Sequence, residues 1–346
     1  MTKYQSTICK GIGILLMLYH HLFLNVERIE KYDVSFWPMS QETGHQIAVI
    51  FKVCVAIFVF VTGYGYYKKY ENEKDGLRTV LARILNLMFK YWFIFLLFFI
   101  IGIFAKQINV YECGNALKSV IYVIVDFGGL AYFFDTPTLN PTFWYMSLAL
   151  LFIILCPLLK IINSKIVGIA LVLIAILLGN KFYINLRIQT VFIYLTTLEC
   201  GMLCSKYKVF EKCEKLLKKY LNIDLIISLV VLIGLAYLRD ARYTFFFDTI
   251  IAMSLCYLIF RTCQSEKERN VLYNFGKCST NAFLVHTFIY KMYFTDLIFK
   301  PRYYLMIWGF LVVATWIVSI LLEKIKKIIK YTDYSILIVK KVQKKV

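Results

Sequence analysis

Residues 8–26 read ICKGIGILLMLYHHLFLNV, a stretch that is long and apolar enough to form a membrane-spanning helix. A helix needs about 20 mostly apolar residues to cross a bilayer, because each residue adds about 1.5 Å. The stretch nevertheless contains Lys10, His20 and His21. Ionisable side chains at membrane depth are costly and usually face a cavity or a partner. Lys10 and His21 are about three turns apart and share one helix face, so that face is predicted to be functional.

The composition extends this prediction to the whole chain. Of the 346 residues, 60% are hydrophobic, and the mean hydropathy is +0.67. A soluble domain is only about 45–50% apolar. The net charge of +19 is typical of a polytopic protein that keeps Lys and Arg on its cytoplasmic loops, and no nucleic-acid partner is expected. The sequence therefore predicts an all-α, polytopic membrane helix bundle.

Two strongly basic segments, residues 68–90 and 206–219, are expected on the cytoplasmic side of the membrane. An even number of crossings must then separate them, although five apolar candidates lie between them. The weakest candidate is residues 116–134, which contains Asp126 and two adjacent glycines. We predict a re-entrant or interfacial helix there, on the outer side. About ten membrane crossings remain, and both termini are predicted to be cytoplasmic.

The predicted crossings are residues 8–26, 44–67, 91–105, 142–159, 166–180, 188–204, 222–238, 244–260, 279–299 and 303–322. Residues 1–325 are predicted to form one transmembrane domain, and residues 326–346 a basic cytoplasmic tail.

The ten cysteines do not form a disulfide framework in this topology. Only Cys113 lies in an outer loop, and the others lie in crossings or face the reducing cytoplasm. Cys200 and Cys204 lie on one helix face, but no His or carboxylate spacing around them resembles a zinc site. Packing is the favoured interpretation, and no metal is expected. The sequence also lacks phosphate-loop, dinucleotide-binding and nucleophile-elbow motifs.

The spacing of Lys10 and His21 resembles the first-helix signature of the acyltransferase-3 family, integral membrane enzymes that O-acylate cell-surface carbohydrates. That family usually has Arg, ten intervening residues and His, so Lys10 stands in the place of the Arg. Four later stretches are similar to family patterns in the same order: residues 58–64, 83–91, 142–157 and 279–286. The resemblance covers roughly residues 8–325, so residues 1–325 are expected to be an acyltransferase-3-like domain.

The resemblance implies a membrane O-acyltransferase. Its donor would be cytoplasmic acyl-CoA, most often acetyl-CoA, and its acceptor a hydroxyl of a lipid-linked or surface glycan. A multi-pass protein of a bacterial plasma membrane is implied, with membrane lipids and glycan-assembly proteins as partners. His21 is then the candidate general base for the acceptor hydroxyl, or a transient acyl carrier. His20 is an orienting neighbour or exchanges roles with His21, and Lys10 completes the signature.

Four further residues are candidates for substrate binding: His286, Tyr290, Asp126 and Trp144. His286 and Tyr290 lie one turn apart on a helix, and a packing role for His286 is weighed evenly against a binding role. For Asp126 the alternatives are binding of sugar hydroxyls and solvation in an outer vestibule. For Trp144 they are stacking on a sugar and membership of the aromatic belt at the membrane surface.

Three basic residues, Arg83, Arg78 and Lys90, are candidates for a clamp on the phosphates of CoA, since guanidinium and ammonium groups suit phosphate oxygens. Arg83 and Lys90 share a face at the inner end of the third crossing, with Arg78 one loop back. Ordinary positive-inside charge is the alternative. For the whole chain, the alternative function is a non-enzymatic glycan transporter, flippase or export component, whose intramembrane charges would line a substrate path.

Overall fold

The helical character predicted from the sequence is confirmed. The computed structural model describes residues 1–71, 76–105, 108–162, 164–179, 185–217, 223–241, 246–264 and 271–344. Within these residues the regular structure is helical, and the one extended pairing is an isolated bridge between Ser35 and Tyr303. The predicted crossing ends at residues 180, 222 and 244 lie outside the described residues, as do the basic residues Lys74, Lys218, Lys219 and Lys345.

The α-helices are α1 (Lys3–Phe23), α2 (Val26–Lys31), α3 (Gln41–Ile50), α4 (Cys54–Tyr70), α5 (Leu77–Phe104), α6 (Ala116–Phe127), α7 (Ala131–Phe134), α8 (Trp144–Ile162), α9 (Lys165–Gly179), α10 (Leu186–Lys206), α11 (Val209–Leu217), α12 (Ile223–Ala241), α13 (Phe246–Thr262), α14 (Val271–Lys277), α15 (Ser279–Thr287), α16 (Thr295–Phe299), α17 (Tyr304–Ile328) and α18 (Tyr331–Lys344). Short 3-10 turns cover Phe51–Val53, Ile108–Tyr111 and Pro141–Phe143, and a π-helix covers Phe288–Tyr293.

In the part of the chain that the structure describes, several helical segments are long and apolar enough to cross a membrane. These six segments are Lys3–Phe23, Gln41–Tyr70, Leu77–Phe104, Pro141–Ile162, Leu186–Lys206 and Tyr304–Ile328. Two shorter apolar helices cover Lys165–Gly179 and Ile223–Leu238. All of these overlap predicted crossings. The total of ten crossings stays a prediction.

Besides the second predicted crossing, which a 3-10 turn interrupts, two more differ from the observed helices. The third was placed at residues 91–105, but α5 runs for 28 residues from Leu77. Arg78 therefore lies on the same helix as Lys90, and its placement one loop away is wrong. A search for apolar stretches misses the basic first half of α5, although this half is helical because Arg and Lys are good helix formers. Residues 279–299, predicted as one crossing, are divided into α15, the π-helix and α16.

The first of two compact units consists of Met1–Glu73, Leu159–Ser279 and Thr295–Ala314. Its helices α4 and α10 approach each other through glycines. A Cβ added to Gly63 of α4 would overlap the Leu198 carbonyl of α10, and one added to Gly201 of α10 would overlap the Phe60 carbonyl of α4. Small residues let membrane helices pack backbone against backbone. This close approach explains the glycine in the stretch 58–64.

Helix α1 is fixed along its length within the same unit. A Cβ added to Gly11 would overlap the Leu272 carbonyl of α14, so these two helices also touch through their backbones. Farther along, Trp308 of α17 donates a hydrogen bond from Nε1 to the Leu15 carbonyl at 3.1 Å. The part of α1 that precedes the histidines is thus held by contacts with α14 and α17.

The second unit consists of Lys74–Leu158, Thr280–Phe294 and Thr315–Val346. It contains α6, whose 12 residues span only about 18 Å and cannot cross a bilayer. The helix ends at Gly128, and the next residue, Gly129, has a φ of +70° that favours glycine. The exposed apolar residues of α6 lie at helical spacing: Leu117, Val120, Ile121 and Ile124. The length of α6 supports the prediction that the segment 116–134 does not cross the membrane, and its position at the membrane surface stays a prediction.

Gly63→Ala should destabilise the first unit, because the new methyl group has no room against the Leu198 carbonyl. Such overpacking costs about 1–3 kcal/mol. Gly65→Ala is the matched control on the same helix, since a Cβ there meets no atom within 4 Å. Ala also favours a helix over Gly by about 1 kcal/mol. In thermal unfolding of the detergent-solubilised protein, the melting temperature should fall for Gly63→Ala alone. Equal changes would contradict the close packing of α4 and α10.

Candidate functional site

His20 is a buried imidazole held by a main-chain carbonyl. Its side chain is 6% exposed, and its Nδ1 lies 2.6 Å from the Ala48 carbonyl oxygen. A carbonyl oxygen only accepts hydrogen bonds, so Nδ1 carries the proton, and in the neutral ring Nε2 holds the lone pair. The ring of His21 lies edge-on to that of His20, with centroids 5.0 Å apart. The structure thus gives His20 a fixed orientation and His21 a contact with it.

The carbonyl that His20 binds lies beside a break in the second predicted crossing. The helix predicted over residues 44–67 is interrupted by the 3-10 turn Phe51–Val53, between α3 and α4. In an unbroken α-helix the Ala48 carbonyl would accept from the Lys52 amide. Lys52 lies inside the turn, and at its end the Cys54 amide bonds to the Phe51 carbonyl, three residues back. Just before this change in register, the Ala48 carbonyl is bonded to the imidazole of His20.

Sequence reasoning missed a third histidine at the end of α1. Nε2 of His45, on α3, donates to the Leu24 carbonyl at 3.1 Å. Arg28 of α2 donates from Nη1 to the His21 carbonyl, also at 3.1 Å. Both bonds satisfy carbonyls at the C-terminal end of α1, where helical partners run out. The available signal was position, because His45 begins the crossing that follows α1 in the chain.

The face that joins Lys10 to His21 is present. Helix α1 is continuous from Lys3 to Phe23, so the two residues lie on one side of it, as their spacing predicts. Both are partly exposed, whereas Ile14 and Met17 between them are buried. His20 is rotated from His21 by about 100° around the helix axis. The geometry needed for the predicted roles exists, and the roles themselves stay predictions.

His286 of the second unit is held in the same manner as His20. It is fully buried, and its Nδ1 lies 2.7 Å from the Phe283 carbonyl oxygen. Its Nε2 lies 3.3 Å from the hydroxyl of Thr287. The ring stacks on Tyr290, with centroids 5.9 Å apart and planes at 10°. The predicted neighbourhood of His286 and Tyr290 is thus present, at the start of the π-helix, a conformation that often marks functional sites.

Buried polar side chains extend from His286 to the start of α8. The hydroxyls of Thr287 and Thr142 are 3.3 Å apart. Thr142 donates from its hydroxyl to Oδ1 of Asn140 at 2.8 Å. Asn140 also donates from Nδ2 to the Leu284 carbonyl at 3.4 Å. Sequence reasoning did not select Asn140 or Thr287, and the Asn-Pro-Thr run at the start of α8 was the signal for a capped, ordered turn.

Asp126 joins several segments of the second unit and is only 1% exposed. Its carboxylate accepts hydrogen bonds from the hydroxyls of Tyr111 (2.5 Å), Thr138 (2.9 Å) and Tyr91 (3.3 Å), and from the Leu139 amide (2.6 Å). Burial raises the pKa of the Asp126 carboxyl above its ordinary value, while the donated bonds oppose that shift. Solvation in an outer vestibule is therefore wrong, and this geometry favours a structural role over sugar binding.

Trp144 lies among aromatic rings at the start of α8. Its ring centroid is 5.9 Å from that of Tyr132 and 6.0 Å from that of Tyr145. Trp144 is partly exposed. This surrounding suits both predicted roles, stacking on a sugar and membership of an aromatic belt, and the choice between them stays open.

The three candidate cations share α5. Arg78 and Lys90 are exposed and Arg83 is partly buried. Arg83 and Lys90 are two turns apart and lie on one face of the continuous helix. Lys90 interacts electrostatically with two charged residues of α17, Lys326 and Glu323.

Lys326 is a buried cation that sequence reasoning assigned to the tail. It is 3% exposed and donates from Nζ to Oδ1 of Asn281 at 3.0 Å and to Oε1 of Glu323 at 2.9 Å. Asn281 in turn donates from Nδ2 to the same Glu323 oxygen at 2.8 Å. Helix α17 continues to Ile328, so the predicted boundary after residue 325 falls inside it.

The comparisons with known proteins agree with these motifs. The family model of an acyltransferase domain matches residues 4–324, nearly the whole chain. This chain belongs to the acyltransferase-3 family. No match was found among curated proteins or among solved structures.

Family membership and the apolar helices together identify a membrane acyltransferase. The family predicted from the first-helix spacing is thus confirmed. An acyltransferase requires an acyl donor, and in the described part of this acyltransferase no group of three or more His, Cys, Asp and Glu side chains is arranged to hold a metal ion.

Asp126→Asn should destabilise the acyltransferase, because an amide nitrogen would replace one accepting oxygen and leave a buried donor without a partner. Each such donor costs about 1–3 kcal/mol. Asp333→Asn removes the same formal charge from an exposed position of α18 and should change stability by less than about 0.5 kcal/mol. Denaturant unfolding in detergent measures both. Equal losses would mean that the Asp126 hydrogen bonds contribute nothing specific to stability.

Proposed function

We propose that the acyltransferase transfers an acetyl group from cytoplasmic acetyl-CoA to a hydroxyl of a lipid-linked or surface glycan. The proposed location is a bacterial plasma membrane, where glycan-assembly proteins would supply the acceptor. Membership of the acyltransferase-3 family supports the acyl-transfer chemistry. The observation that carries the proposal is the pair of imidazoles at the end of α1, one of them locked by the Ala48 carbonyl.

The proposed chemistry needs one proton acceptor. The basic nitrogen of the imidazole removes the proton of the acceptor hydroxyl while the hydroxyl oxygen attacks the thioester carbonyl carbon. The tetrahedral intermediate expels the CoA thiolate, which takes the proton and leaves as CoA thiol. The product is the acetyl ester of the glycan. In an alternative mechanism, His21 carries the acetyl group before the hydroxyl attacks.

We assign the base to His21 and a positioning role to His20. The spacing of His21 from Lys10 supports the first assignment, and Lys10 completes the signature on the same face. The carbonyl-bound ring of His20, 5.0 Å from that of His21, supports the second. A positively charged imidazolium at the C-terminal end of α1 is also favoured by the helix dipole.

Other residues are proposed to contact the donor and the acceptor. Arg83 and Lys90 would bind the phosphates of CoA, together with Arg78 at the start of α5. His286 and Tyr290 present a stacked imidazole and phenol, which suits a sugar ring, and Trp144 would add a second aromatic surface.

His21→Ala should lower kcat for acetyl transfer by about a hundredfold to ten-thousandfold, the usual contribution of a general base, with little change in KM for acetyl-CoA. Inside-out membrane vesicles given labelled acetyl-CoA and the glycan acceptor measure the transfer. His20→Ala should lose less activity than His21→Ala, and the reverse order would exchange their roles. In the wild-type protein, kcat/KM should fall at low pH, because a protonated imidazole accepts no proton.

His45→Gln is the control for loss of a histidine, since glutamine keeps a donor for the Leu24 carbonyl. Full activity in the His20→Ala/His21→Ala double variant would refute the assignment of the base. Glycan that crosses the membrane without becoming labelled would support a transporter instead.

Arg83→Gln should raise KM for acetyl-CoA about tenfold or more and leave kcat nearly unchanged, because a hydrogen bond to a charged group contributes about 1.5–3 kcal/mol. S-acetylpantetheine lacks the nucleotide phosphates, so the variant and the wild type should use it equally. Lys165→Gln removes an exposed cation at the start of α9 and serves as the control. A loss with S-acetylpantetheine as large as that with acetyl-CoA would mean that Arg83 supports the fold and does not bind phosphate.

A further inference from the structure

We infer that α18 is a surface that binds the anionic phospholipid headgroups of the cytoplasmic leaflet. The helix follows the apolar helix α17 after a turn of two residues, Ile329 and Lys330. Lys330 reverses the chain with a positive φ of 55°. Most of the segment predicted as a basic tail is therefore a helix of the second unit, and this inference does not depend on the chemistry of acyl transfer.

One side of α18 is fixed to α5. The hydroxyl of Tyr331 donates to the Phe89 carbonyl at 2.7 Å, and its ring lies 5.1 Å from that of Phe93. Ser335 and Val339 follow at helical spacing and are partly buried like Tyr331. This side accounts for the attachment of the helix and leaves its remaining surface uncovered.

The uncovered surface combines large apolar side chains with lysines. Tyr334, Ile336, Leu337 and Ile338 are between 41% and 61% exposed, and Lys340 and Lys341 are exposed beside them. Helices of this composition lie in the membrane interface, where the apolar side chains enter the acyl boundary and the ammonium groups reach the phosphates.

The adjoining surface favours a lipid occupant over a second protein. Ile325, Ile328 and Ile329, at the inner end of α17, are between 44% and 79% exposed. They continue the apolar exterior of a membrane-spanning segment directly onto α18. The positive-inside rule places this end on the cytoplasmic side, and anionic lipids give that leaflet a negative surface potential.

Hydrogen exchange of the full-length protein in nanodiscs tests the inference. The amides of residues 331–344 should exchange more slowly in phosphatidylcholine mixed with phosphatidylglycerol than in phosphatidylcholine alone. Each lysine near an anionic leaflet contributes roughly fivefold to binding. The double variant K340Q/K341Q should therefore lose about 25-fold in protection in the anionic nanodiscs, and Leu337→Ser should weaken protection in both lipid mixtures.

The control K3Q/K69Q removes the same charge from exposed lysines of the first unit and should leave α18 unchanged. The exchange of α5 amides in each variant shows whether the second unit is still folded. Equal protection of α18 in neutral and anionic nanodiscs would overturn the inference. Protection that appears only when two copies of the protein occupy one nanodisc would overturn it as well, in favour of a second copy as the occupant.

Discussion

A polar side chain buried among membrane helices must find its hydrogen-bonding partner within the protein, because hydrocarbon offers none. In the acyltransferase, main-chain carbonyls supply that partner for both buried histidines. Ala48 accepts from His20, and Phe283 accepts from His286. In each ring the carbonyl holds the proton on Nδ1 and leaves Nε2 as the basic nitrogen. The constraint that satisfies the buried ring therefore also determines which nitrogen is able to take part in proton transfer.

Departures from regular helix lie beside both histidines. A carbonyl oxygen has two lone pairs, so a main-chain carbonyl in a helix can also accept a hydrogen bond from a side chain. The 3-10 turn at Phe51–Val53 follows Ala48 by a few residues, and the π-helix begins just after His286. These irregular segments cost some helical bonding. They are consistent with sites at which position matters more than local stability.

The sequence predicted what depends on composition and periodicity. Lys10 and His21 share a face because α1 is a continuous helix, and two glycines end α6 after 12 residues, within the segment predicted not to cross the membrane. The sequence did not predict the contacts between segments that are distant along the chain. Tyr91 meets Asp126 across 35 positions, and Thr142 meets Thr287 across 145. A hydropathy pattern locates a helix along the chain without specifying its neighbours, so the partners that bury Asp126 had no signal.

For the same reason, the sequence did not predict the buried position of Lys326. That position changes the roles expected of the basic residues of α5. Counting charge along the chain placed this lysine in a solvated tail, yet it is buried and bonded to both Asn281 and Glu323. Because Lys326 donates to both side chains, it stabilises the contact of α15 with α17 and has few donors left for a ligand. Glu323 balances one of the two positive charges of Lys90 and Lys326. The remaining positive charge at the end of α17 and the neighbouring part of α5 favours an anion there, and in the proposed function the phosphate contacts then fall to Lys90 and Arg83.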